Sequence, residues 1–531
     1  MRNEELRIMK TMKQTINKML KHIFPSHSWR GGGGEAFCLA LSALTLVSCF
    51  SDDTTLGDRP LAEIVIDSTS VAEVYNINKN ETLTVTPKFS QTNGGKTVTT
   101  TWEIDQKVYS NEPTLTFTGK ELGSWNCRLI LENEDGKTFY PFKLNVNSPY
   151  EEGITVLSAD ADGRPFISFM QKPIGNEQAM FYDYDCLEVN NPDMHFASMP
   201  ADIVQSAGSL IIACQGKGMS GEDVPTLYYI NEKTMVVENM LSVTEYDDFK
   251  PTILGIPSMD ASGVAYPVMC ENGKVYEFST TEGALVKPTK LKYTYDQTMI
   301  VRDNGTGWNY ELLTWDKEIG ALVQIYNGYG PYYCSKNYHQ TRATCTGTNN
   351  YFDGRTFCNM TLVRMTDAQS ATADPQILVV VNNGMLVQKV VLSTSLWKYN
   401  FDTSETVLDD NGGTKIAMVG ECPLTPTTPT IANMTYYSLL FAEGNKVRRW
   451  NYTTSQLLTA ADVLQTVGSA DAVITGFEMS ADHKKTYVAF YEPTKSGKNG
   501  SLWVIDTDKG TVLEKYDNVF YRPVKMIYKK K

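Results

Sequence analysis

The chain has 531 residues, of which 42% are hydrophobic and 21% are charged, and its formal net charge is −13. These values are typical of a globular protein, and the length allows more than one domain with its own core. An acidic chain is a poor match for nucleic acid or for an anionic membrane surface, so neither is an expected partner. The 29 tyrosines and 38 glycines favour strands and turns over helices.

An apolar run covers residues 36–47 and follows a segment that carries several lysines and arginines. Twelve residues are too few to span a bilayer, but their number fits the hydrophobic region of a signal peptide. The chain has no run of about 18 apolar residues, so the sequence predicts no membrane-spanning helix.

The apolar run ends in Leu46-Val47-Ser48-Cys49, which resembles a bacterial lipobox, and the resemblance implies that Cys49 is lipidated. The following Ser51, Asp52 and Asp53 resemble the surface-export signal of Bacteroidota lipoproteins. Residues 1–48 are therefore expected to be a lipoprotein signal peptide and residues 49–60 a lipidated tether. The predicted location is the outer membrane, facing outward, with lipid as the sole anchor. Without residues 1–48, which hold seven basic and three acidic residues, the net charge is −17.

Residues 61–148 are predicted to form a small immunoglobulin-like sandwich. Short segments that alternate apolar and polar residues are typical of half-buried strands, and they lie at residues 64–66, 82–85, 101–104, 115–117, 127–131 and 142–146. Asn93-Gly94-Gly95 and Glu134-Asp135-Gly136 are predicted to be hairpin turns between strands. About six strands around Trp102 describe an immunoglobulin-like domain.

Two of these segments resemble the PKD-like family. Residues 101–104 (Thr-Trp-Glu-Ile) match its aromatic central strand, and residues 122–129 match its strand with Gly-x-Tyr/Trp-x-Val-x-Leu. The acidic glycine loop of the family is replaced by Asp105-Gln106-Lys107, so the resemblance implies no calcium site. The domain is expected to act as a spacer.

Residues 153–531 contain a degenerate repeat. Five aromatic strand-like stretches and a weaker sixth have their second positions at 182, 228, 276, 397, 448 and 503, and one interval is about double the others. One further unit in the gap would give seven. Periods of roughly 40–50 residues with several strands each are typical of a β-propeller.

The last repeat, residues 479–510, resembles a blade of quinoprotein-type or YVTN-type propellers. Residues 519–524 are predicted to complete the ring by pairing with the strand that begins near Ile154, because such pairing removes exposed sheet edges. The predicted fold is therefore all-β, an immunoglobulin-like (PKD-like) sandwich followed by a roughly seven-bladed β-propeller.

The order of lipobox, PKD-like domain and propeller resembles the PKD-like family lipoproteins of Bacteroidota. The resemblance implies a nutrient-uptake setting, with a TonB-dependent transporter and its binding lipoprotein as partners. This is an association between protein families and not a mechanism.

The histidines beyond the signal segment are His195, His339 and His483, and none belongs to a metal-binding or hydrolase motif. No metal and no cofactor are expected. Asp160-Ala161-Asp162-Gly163 is interpreted as a hairpin turn, since the next residues are wrong for a calcium loop. Ser-x-Asp turns at 158–160, 258–260 and 480–482 fit hairpins between strands. Carboxylate pairs are frequent, but their separation, which glycoside hydrolysis requires, cannot be read from the sequence.

A tyrosine-rich stretch at residues 326–352 has poor apolar alternation and is predicted to be a loop insertion on one blade. Long loops often carry function, and tyrosine offers a flat apolar face with a hydroxyl group. The candidate ligand-binding residues are Tyr329, Tyr332, Tyr333, Tyr338, Arg342 and Tyr351. Cys334 and Cys345 are candidates for a disulfide within the loop. The alternative is that these tyrosines only pack the insertion against its blade.

The sequence hypothesis is a non-catalytic, surface-exposed outer-membrane lipoprotein that binds a glycan or peptide in a nutrient-uptake system. One alternative is a propeller glycosidase or lyase that uses a carboxylate pair in the central channel. The other is a structural accessory of a transporter complex without a ligand of its own.

Overall fold

The computed structural model describes the following residues: 60–172, 180–183, 185–206, 208–255, 265–279, 284–286, 295–303, 310–318, 321–326, 329–333, 361–369, 376–382, 386–392, 397–400, 405–408, 413–419, 421–454 and 456–531. Their regular structure is almost entirely strand, with one five-residue helix, α1 (Cys186–Asn190), and a 3-10 turn at Leu458–Ala460. The all-β prediction is confirmed. No helix within these residues is long and apolar enough to cross a membrane.

Nine strands precede the repeats. They are β1 (Ile64–Ile66), β2 (Val74–Asn78), β3 (Thr82–Val85), β4 (Phe89–Gln91), β5 (Thr99–Ile104), β6 (Lys107–Ser110), β7 (Leu115–Thr118), β8 (Gly123–Asn133) and β9 (Gly136–Asn147). They form a five-stranded sheet of order β2-β9-β8-β5-β6 and two pairs, β1-β4 and β3-β7. Each predicted strand segment lies in one of them. The likeness to the PKD-like family and the domain boundary after residue 148 stay predictions.

The chain divides into two compact units, and the described part of the smaller one combines residues 60–66, Phe89–Thr99 and Leu131–Thr138. In its described part the Asn133 amide donates to the Ala62 carbonyl oxygen at 2.6 Å. Lys96 forms ion pairs with Glu134 and Asp135 beside the turn that joins β8 to β9. That turn confirms one predicted hairpin.

The predicted hairpin at Asn93-Gly94-Gly95 is wrong. The strand before these residues is β4, and it pairs with β1 rather than with the strand that follows. Turn-forming residues identify a reversal of the chain, but they do not identify which strands pair on either side of it.

The five-stranded sheet belongs mainly to the larger unit, where Trp102 is fully buried. Its indole N–H donates to the Glu112 carbonyl oxygen at 3.0 Å, and its ring meets the Phe142 ring edge-on with centroids 6.0 Å apart. Asp105 and Gln106 join β5 to β6 with φ of 49° and 64°. Positive φ at both positions is typical of a type I′ hairpin turn.

The remaining strands of the described residues form seven groups of four antiparallel strands, which we call blades 1 to 7. Five of the blades are separate sheets, whereas blades 5 and 6 share one eight-stranded sheet, because their first strands pair in parallel over two residues. Blade 1 has β10 (Gly153–Ala159), β11 (Pro165–Gln171), β12 (Met180–Asp183) and β39 (Arg522–Lys529). Blade 2 has β13 (Pro200–Ser206), β14 (Ser209–Cys214), β15 (Thr226–Asn231) and β16 (Val237–Ser242). Blade 3 has β17 (Pro251–Leu254), β18 (Ala265–Cys270), β19 (Val275–Ser279) and β20 (Ala284–Val286). Blade 4 has β21 (Tyr295–Asp303), β22 (Tyr310–Asp316), β23 (Ala321–Tyr326) and β24 (Tyr329–Tyr333).

Blade 5 has β25 (Thr361–Gln369), β26 (Gln376–Asn382), β27 (Leu386–Leu392) and β30 (Gly413–Val419), with the hairpin of β28 (Trp397–Asn400) and β29 (Glu405–Leu408) between its last two strands. Blade 6 has β31 (Thr430–Asn433), β32 (Ser438–Glu443), β33 (Lys446–Asn451) and β34 (Asp462–Thr466). Blade 7 has β35 (Val473–Met479), β36 (Lys485–Tyr491), β37 (Gly500–Asp506) and β38 (Val512–Phe520).

The innermost strands of the blades form a closed ring. They contact one another in the order β39, β13, β17, β21, β25, β31, β35 and then β39 again. Seven blades of four antiparallel strands around such a ring are a β-propeller. The predicted count of seven blades is therefore confirmed.

The chain's last strand closes the ring by pairing with the strand near Ile154, as predicted, but it begins at Arg522, and Val519 and Phe520 of the predicted segment lie in β38. β39 pairs antiparallel with β10, with Ile154 opposite Tyr528 and Ala159 opposite Arg522. Blade 1 thus takes its innermost strand from the chain's end, and this pairing covers the edge of β10.

Each blade buries apolar side chains against its neighbours. Between blades 7 and 1, Ala489 and Leu502 pack with Val156 and Met526. Between blades 2 and 3, Leu227 packs with Tyr276. Burial on both faces explains why the strands of the repeats are more continuously apolar than those of the N-terminal sheets.

Candidate functional site

Several residues predicted from sequence lie outside the described residues. They are the lipidation residue Cys49, the export signal Ser51, Asp52 and Asp53, the ligand candidates Tyr338, Arg342 and Tyr351, and the possible disulfide Cys334 and Cys345. Their predicted roles stay predictions.

The prediction of a loop over residues 326–352 is wrong for its first part, residues 329–333, which form a strand. Tyr329, Tyr332 and Tyr333 lie in β24, the outer strand of blade 4, with Tyr332 opposite Gln324 and Tyr333 opposite Val323. Tyrosine favours strands, and backbone pairing with β23 outweighs the weak apolar alternation that suggested a loop. A ligand-binding role for these tyrosines remains untested.

A groove lies at one end of the ring, beside the turn that joins β10 to β11. We call it the seam groove, because the same end carries the turn from β38 into the closing strand β39. Its cavity volume is about 100 Å³. It is lined by Arg164, Pro165, Phe166, Asp185, Leu187, Glu188, Pro192, Met194, His195 and Phe196.

One wall of the seam groove is the β10–β11 turn. The Asp160 carboxylate accepts hydrogen bonds from the backbone N–H groups of Asp162 at 3.0 Å and Arg164 at 2.8 Å. Gly163 has φ +83°, which a side chain would strain. This geometry confirms the predicted hairpin turn and fixes Arg164 at the rim, where its guanidinium lies 5.2 Å from the centre of the Phe166 ring.

The opposite wall is the connection from β12 to β13, which contains α1. Asp185 caps α1 by accepting from the backbone N–H of Glu188 at 3.2 Å. Buried Asn191 donates to the carbonyl oxygens of Leu187 and Met235 and accepts from Val237, so α1 is tied to blade 2. The satisfied amide makes this wall a rigid one.

Blade 2 also holds the end of this connection. The Phe196 ring packs on Tyr228 with centroids 5.1 Å apart, and the Tyr228 hydroxyl accepts from the Ala197 N–H at 2.7 Å. Burial raises the pKa of Tyr228 to about 12. Asp223 accepts from both the backbone N–H and the hydroxyl of Ser198, each at 2.7 Å.

The seam groove thus combines an apolar floor with a charged rim. Phe166 is 6% exposed, whereas Arg164, Glu188 and His195 are exposed. Apolar walls with a few convergent polar groups are the usual composition of a ligand site. Turns and connections on a rigid β-scaffold are also the usual location of binding residues in such folds.

The inner ring carries a second polar arrangement. Asp202 of β13 is buried, and its carboxylate lies 3.5 Å from the Lys525 ammonium on β39. The same carboxylate accepts from the backbone N–H of Leu254 in β17 at 2.8 Å. Burial raises the pKa of Glu478 on β35 to about 7, opposed by a backbone N–H of Met479 and by Lys525. Asp202 therefore ties three blades together.

Other sequence interpretations are confirmed by local geometry. Ser480 donates to the Asp482 carboxylate at 2.6 Å in the turn between β35 and β36, and His483 lies in the same turn with φ +58°. Trp315 is buried in β22. The predicted Ser258–Asp260 turn lies outside the described residues.

Sequence reasoning missed the seam groove. The turn before Arg164 was identified as a turn, but not as one wall of a site, and His195 was considered only for metal or hydrolase motifs. The usable signal was position. In an antiparallel blade the connection between the second and third strands and the connection between blades emerge at the same end, so residues 160–164 and 185–198 had to be neighbours.

No family model matches the chain, and no curated protein matches it either. Among solved structures it is similar to a quinonprotein alcohol dehydrogenase-like protein from Bacteroides thetaiotaomicron, with 16% identity and a TM-score of 0.41 over 88% of this chain and 100% of that one. It is also similar to apo AztD from Citrobacter koseri, with 12% identity and a TM-score of 0.34 over 82% and 100%. The similarity to BamB from Moraxella catarrhalis has 12% identity and a TM-score of 0.28, and it covers 61% of this chain and 77% of that one. Likenesses at this level do not bear on function.

Proposed function

We propose that the protein is a non-catalytic binding lipoprotein of the outer membrane, whose propeller captures a glycan or peptide in a nutrient-uptake system. The observation that supports this most is the seam groove, with Phe166 and Phe196 among its apolar lining and Arg164, Glu188 and His195 at its rim. The lipobox at Cys49 and the export signal after it support the location.

The groove is large enough to bind one part of a ligand, but not to enclose a whole oligomer. A cavity volume of about 100 Å³ accommodates one sugar ring or one side chain, and the rest of a longer ligand would extend over the end of the ring. Both walls are held by hydrogen bonds, which are exposed in the β10–β11 turn and buried at Asn191. Little ordering should therefore accompany binding, and a pre-organised site loses less affinity to conformational entropy.

The enzyme alternative has one observation in its favour, which is the raised pKa of Glu478 in the inner ring. A general acid with a pKa near neutrality is the kind of group that glycoside cleavage uses. Asp202, the other inner-ring carboxylate that interacts with Lys525, already binds the Leu254 N–H and that lysine. We therefore propose binding as the function and keep cleavage as an outcome of the test.

The test replaces Glu188 and His195 together with alanine. Both are exposed at the groove rim, so the fold should be unaffected, whereas the dissociation constant for the ligand should rise at least about tenfold, since one or two polar contacts are lost. The measurement is retention on immobilised glycans and peptides, followed by titration of the retained ones. Asp193→Ala is the matched control, because Asp193 is exposed in the same connection but does not line the groove.

Equal binding by the double variant and the control would show that the groove is not the site. Release of smaller products from any member of the panel would favour the enzyme. Co-purification with a transporter without retention on any glycan or peptide would favour the structural accessory.

A further inference from the structure

Two arginines stand on aromatic rings beside the seam groove. Arg164 lies over Phe166, with its guanidinium carbon 5.2 Å from the ring centre, and Arg522 lies over Tyr491 at 5.3 Å. The ring of Tyr521, the residue before Arg522, contacts the ring of Phe166, with centroids 4.5 Å apart. Two guanidinium–ring pairs and one ring–ring pair thus lie at the junction of blades 7 and 1, and we call these five residues the arginine row.

The strand register places the two arginines at a defined spacing. Arg522 is opposite Ala159 on β10, and Ala159 is opposite Pro165 on β11, the neighbour of Arg164. Two strand spacings separate the backbones at these positions by about 10 Å. Because the pairing of β39 with β10 is part of ring closure, this spacing is as rigid as the ring.

Both guanidinium groups are available to an anion. Arg522 is exposed and forms no ion pair with another residue in the described part of the chain. Arg164 pairs with Asp160 at 3.4 Å, but its side chain is 57% exposed, and an exposed pair is weak and exchangeable. Stacking on a ring limits the motion of a guanidinium group, so less freedom is lost when it binds a carboxylate in bidentate geometry.

The arginine row contrasts with the chain as a whole, whose formal net charge is −13. A general negative field repels anions, so two fixed cations in the same row select for a ligand that brings negative groups at matching positions. The half-buried Tyr521 ring offers apolar surface and a hydroxyl group, which suit the C–H faces and hydroxyl groups of a sugar ring.

We propose that the arginine row binds an acidic oligosaccharide, in which carboxylate groups contact Arg164 and Arg522 and a sugar ring lies against Tyr521. The proposal rests on the proposed function and specifies its ligand class. A stiff chain of rings that carry carboxylates matches both features of the row, whereas an acidic peptide matches only its charge.

The experiment titrates the full-length protein with oligogalacturonate, with the same oligomer fully methyl-esterified, with oligomannuronate and with poly-glutamate. The wild type should bind oligogalacturonate, oligomannuronate or both. If it binds oligogalacturonate, its affinity for this oligomer should be at least about tenfold higher than its affinity for the neutral ester. Arg164→Ala and Arg522→Ala should each weaken acid binding about tenfold, as expected for one charge-assisted pair, and leave ester binding unchanged. Arg522→Lys should retain part of the affinity, because the charge remains and the bidentate geometry does not.

Arg128→Ala is the matched control, since Arg128 also stacks on a ring, that of Phe139 at 5.1 Å, but lies in the N-terminal sheet. Thermal unfolding of each variant separates loss of binding from loss of the fold. Failure of the wild type to bind either acidic oligosaccharide would overturn the proposal, and so would equal binding of acid and ester or of poly-glutamate and oligogalacturonate. A ligand that depends on Glu188 and His195 but not on either arginine would keep the proposed function and overturn this inference.

Discussion

Replacing Asp202 with alanine tests how the ring of blades is held closed. Asp202 is 3% exposed on β13 and accepts from the Leu254 N–H on β17 at 2.8 Å. Its other oxygen faces the Lys525 ammonium on the closing strand β39 at 3.5 Å. One side chain therefore connects the inner strands of blades 1, 2 and 3.

The expected loss of stability follows from these contacts. Alanine leaves the Leu254 N–H buried without an acceptor, which costs about 1–3 kcal/mol. Loss of the ion pair adds less than about 1 kcal/mol, because the Lys525 side chain is 48% exposed and solvent screens it. The free energy of unfolding should therefore fall by about 1–4 kcal/mol. Asp202→Asn keeps a carbonyl oxygen for the Leu254 N–H but replaces the oxygen that accepts from the Ile203 N–H at 3.0 Å, so it should cost less than alanine, about 1–2 kcal/mol.

The assay is equilibrium unfolding in urea, followed in parallel by circular dichroism and tryptophan fluorescence. Coincident transitions would allow the free energies of wild type, Asp202→Ala and Asp202→Asn to be compared directly. If the two variants lose the same free energy of unfolding, the hydrogen bond from the Leu254 N–H is not the source of the effect. If neither variant differs from the wild type, Asp202 does not hold the ring.

Two further predictions concern the inner ring and the anchor. Burial raises the pKa of Glu478 to about 7, so between pH 4.5 and 7 the native state keeps a proton that the unfolded state releases, and stability should fall with rising pH by at most about 1.4 kcal/mol per pH unit. Urea unfolding at pH 5 and pH 8 should show a smaller difference for Glu478→Gln, and an unchanged difference would refute this reasoning. Cys49→Ala should move the protein from the membrane fraction to the soluble fraction of cells, whereas Cys422→Ala, at a free half-buried thiol, should not; a membrane-bound Cys49→Ala protein would exclude lipid as the sole anchor.

The number of blades could be predicted because some repeat positions make the same contact in different blades. Tyr228 and Tyr276 both lie on the third strand of a blade, and each hydroxyl bonds to the connection that precedes that blade, at Ala197 and Asp248 respectively. A buried aromatic residue with one hydrogen-bond partner leaves a recognisable pattern in the sequence.

Which strand carries each repeat could not be predicted in every blade. The stretch around position 182 lies on β12, the outer strand of blade 1, because the chain's end supplies that blade's inner strand. The stretch around position 397 lies on β28, in the hairpin between the last two strands of blade 5. Local patterns reveal that a segment is a strand, but its place in a sheet depends on pairing with distant segments.

The candidate site was hidden for the same reason. The tyrosines near Tyr332 stand out by composition, yet the structure places Tyr329–Tyr333 in an outer strand. Arg164 and Arg522 stand out only after β39 pairs with β10, because that pairing brings together residues from the two ends of the propeller sequence. No local motif could have joined them.

The closing strand β39 links the stability of the ring to its proposed site, and the structure allows the two to be separated. Arg522, at its first residue, is exposed and stacks on Tyr491, so its replacement should change binding while the unfolding transition stays in place. Lys525, three residues later, faces buried Asp202, so replacing Lys525 should lower the stability of the ring rather than change binding directly. Loss of acidic oligosaccharide binding at Arg522 without loss of stability is therefore evidence for a site, whereas parallel losses at Arg522 would mean that the arginine row only reinforces the closure of the ring.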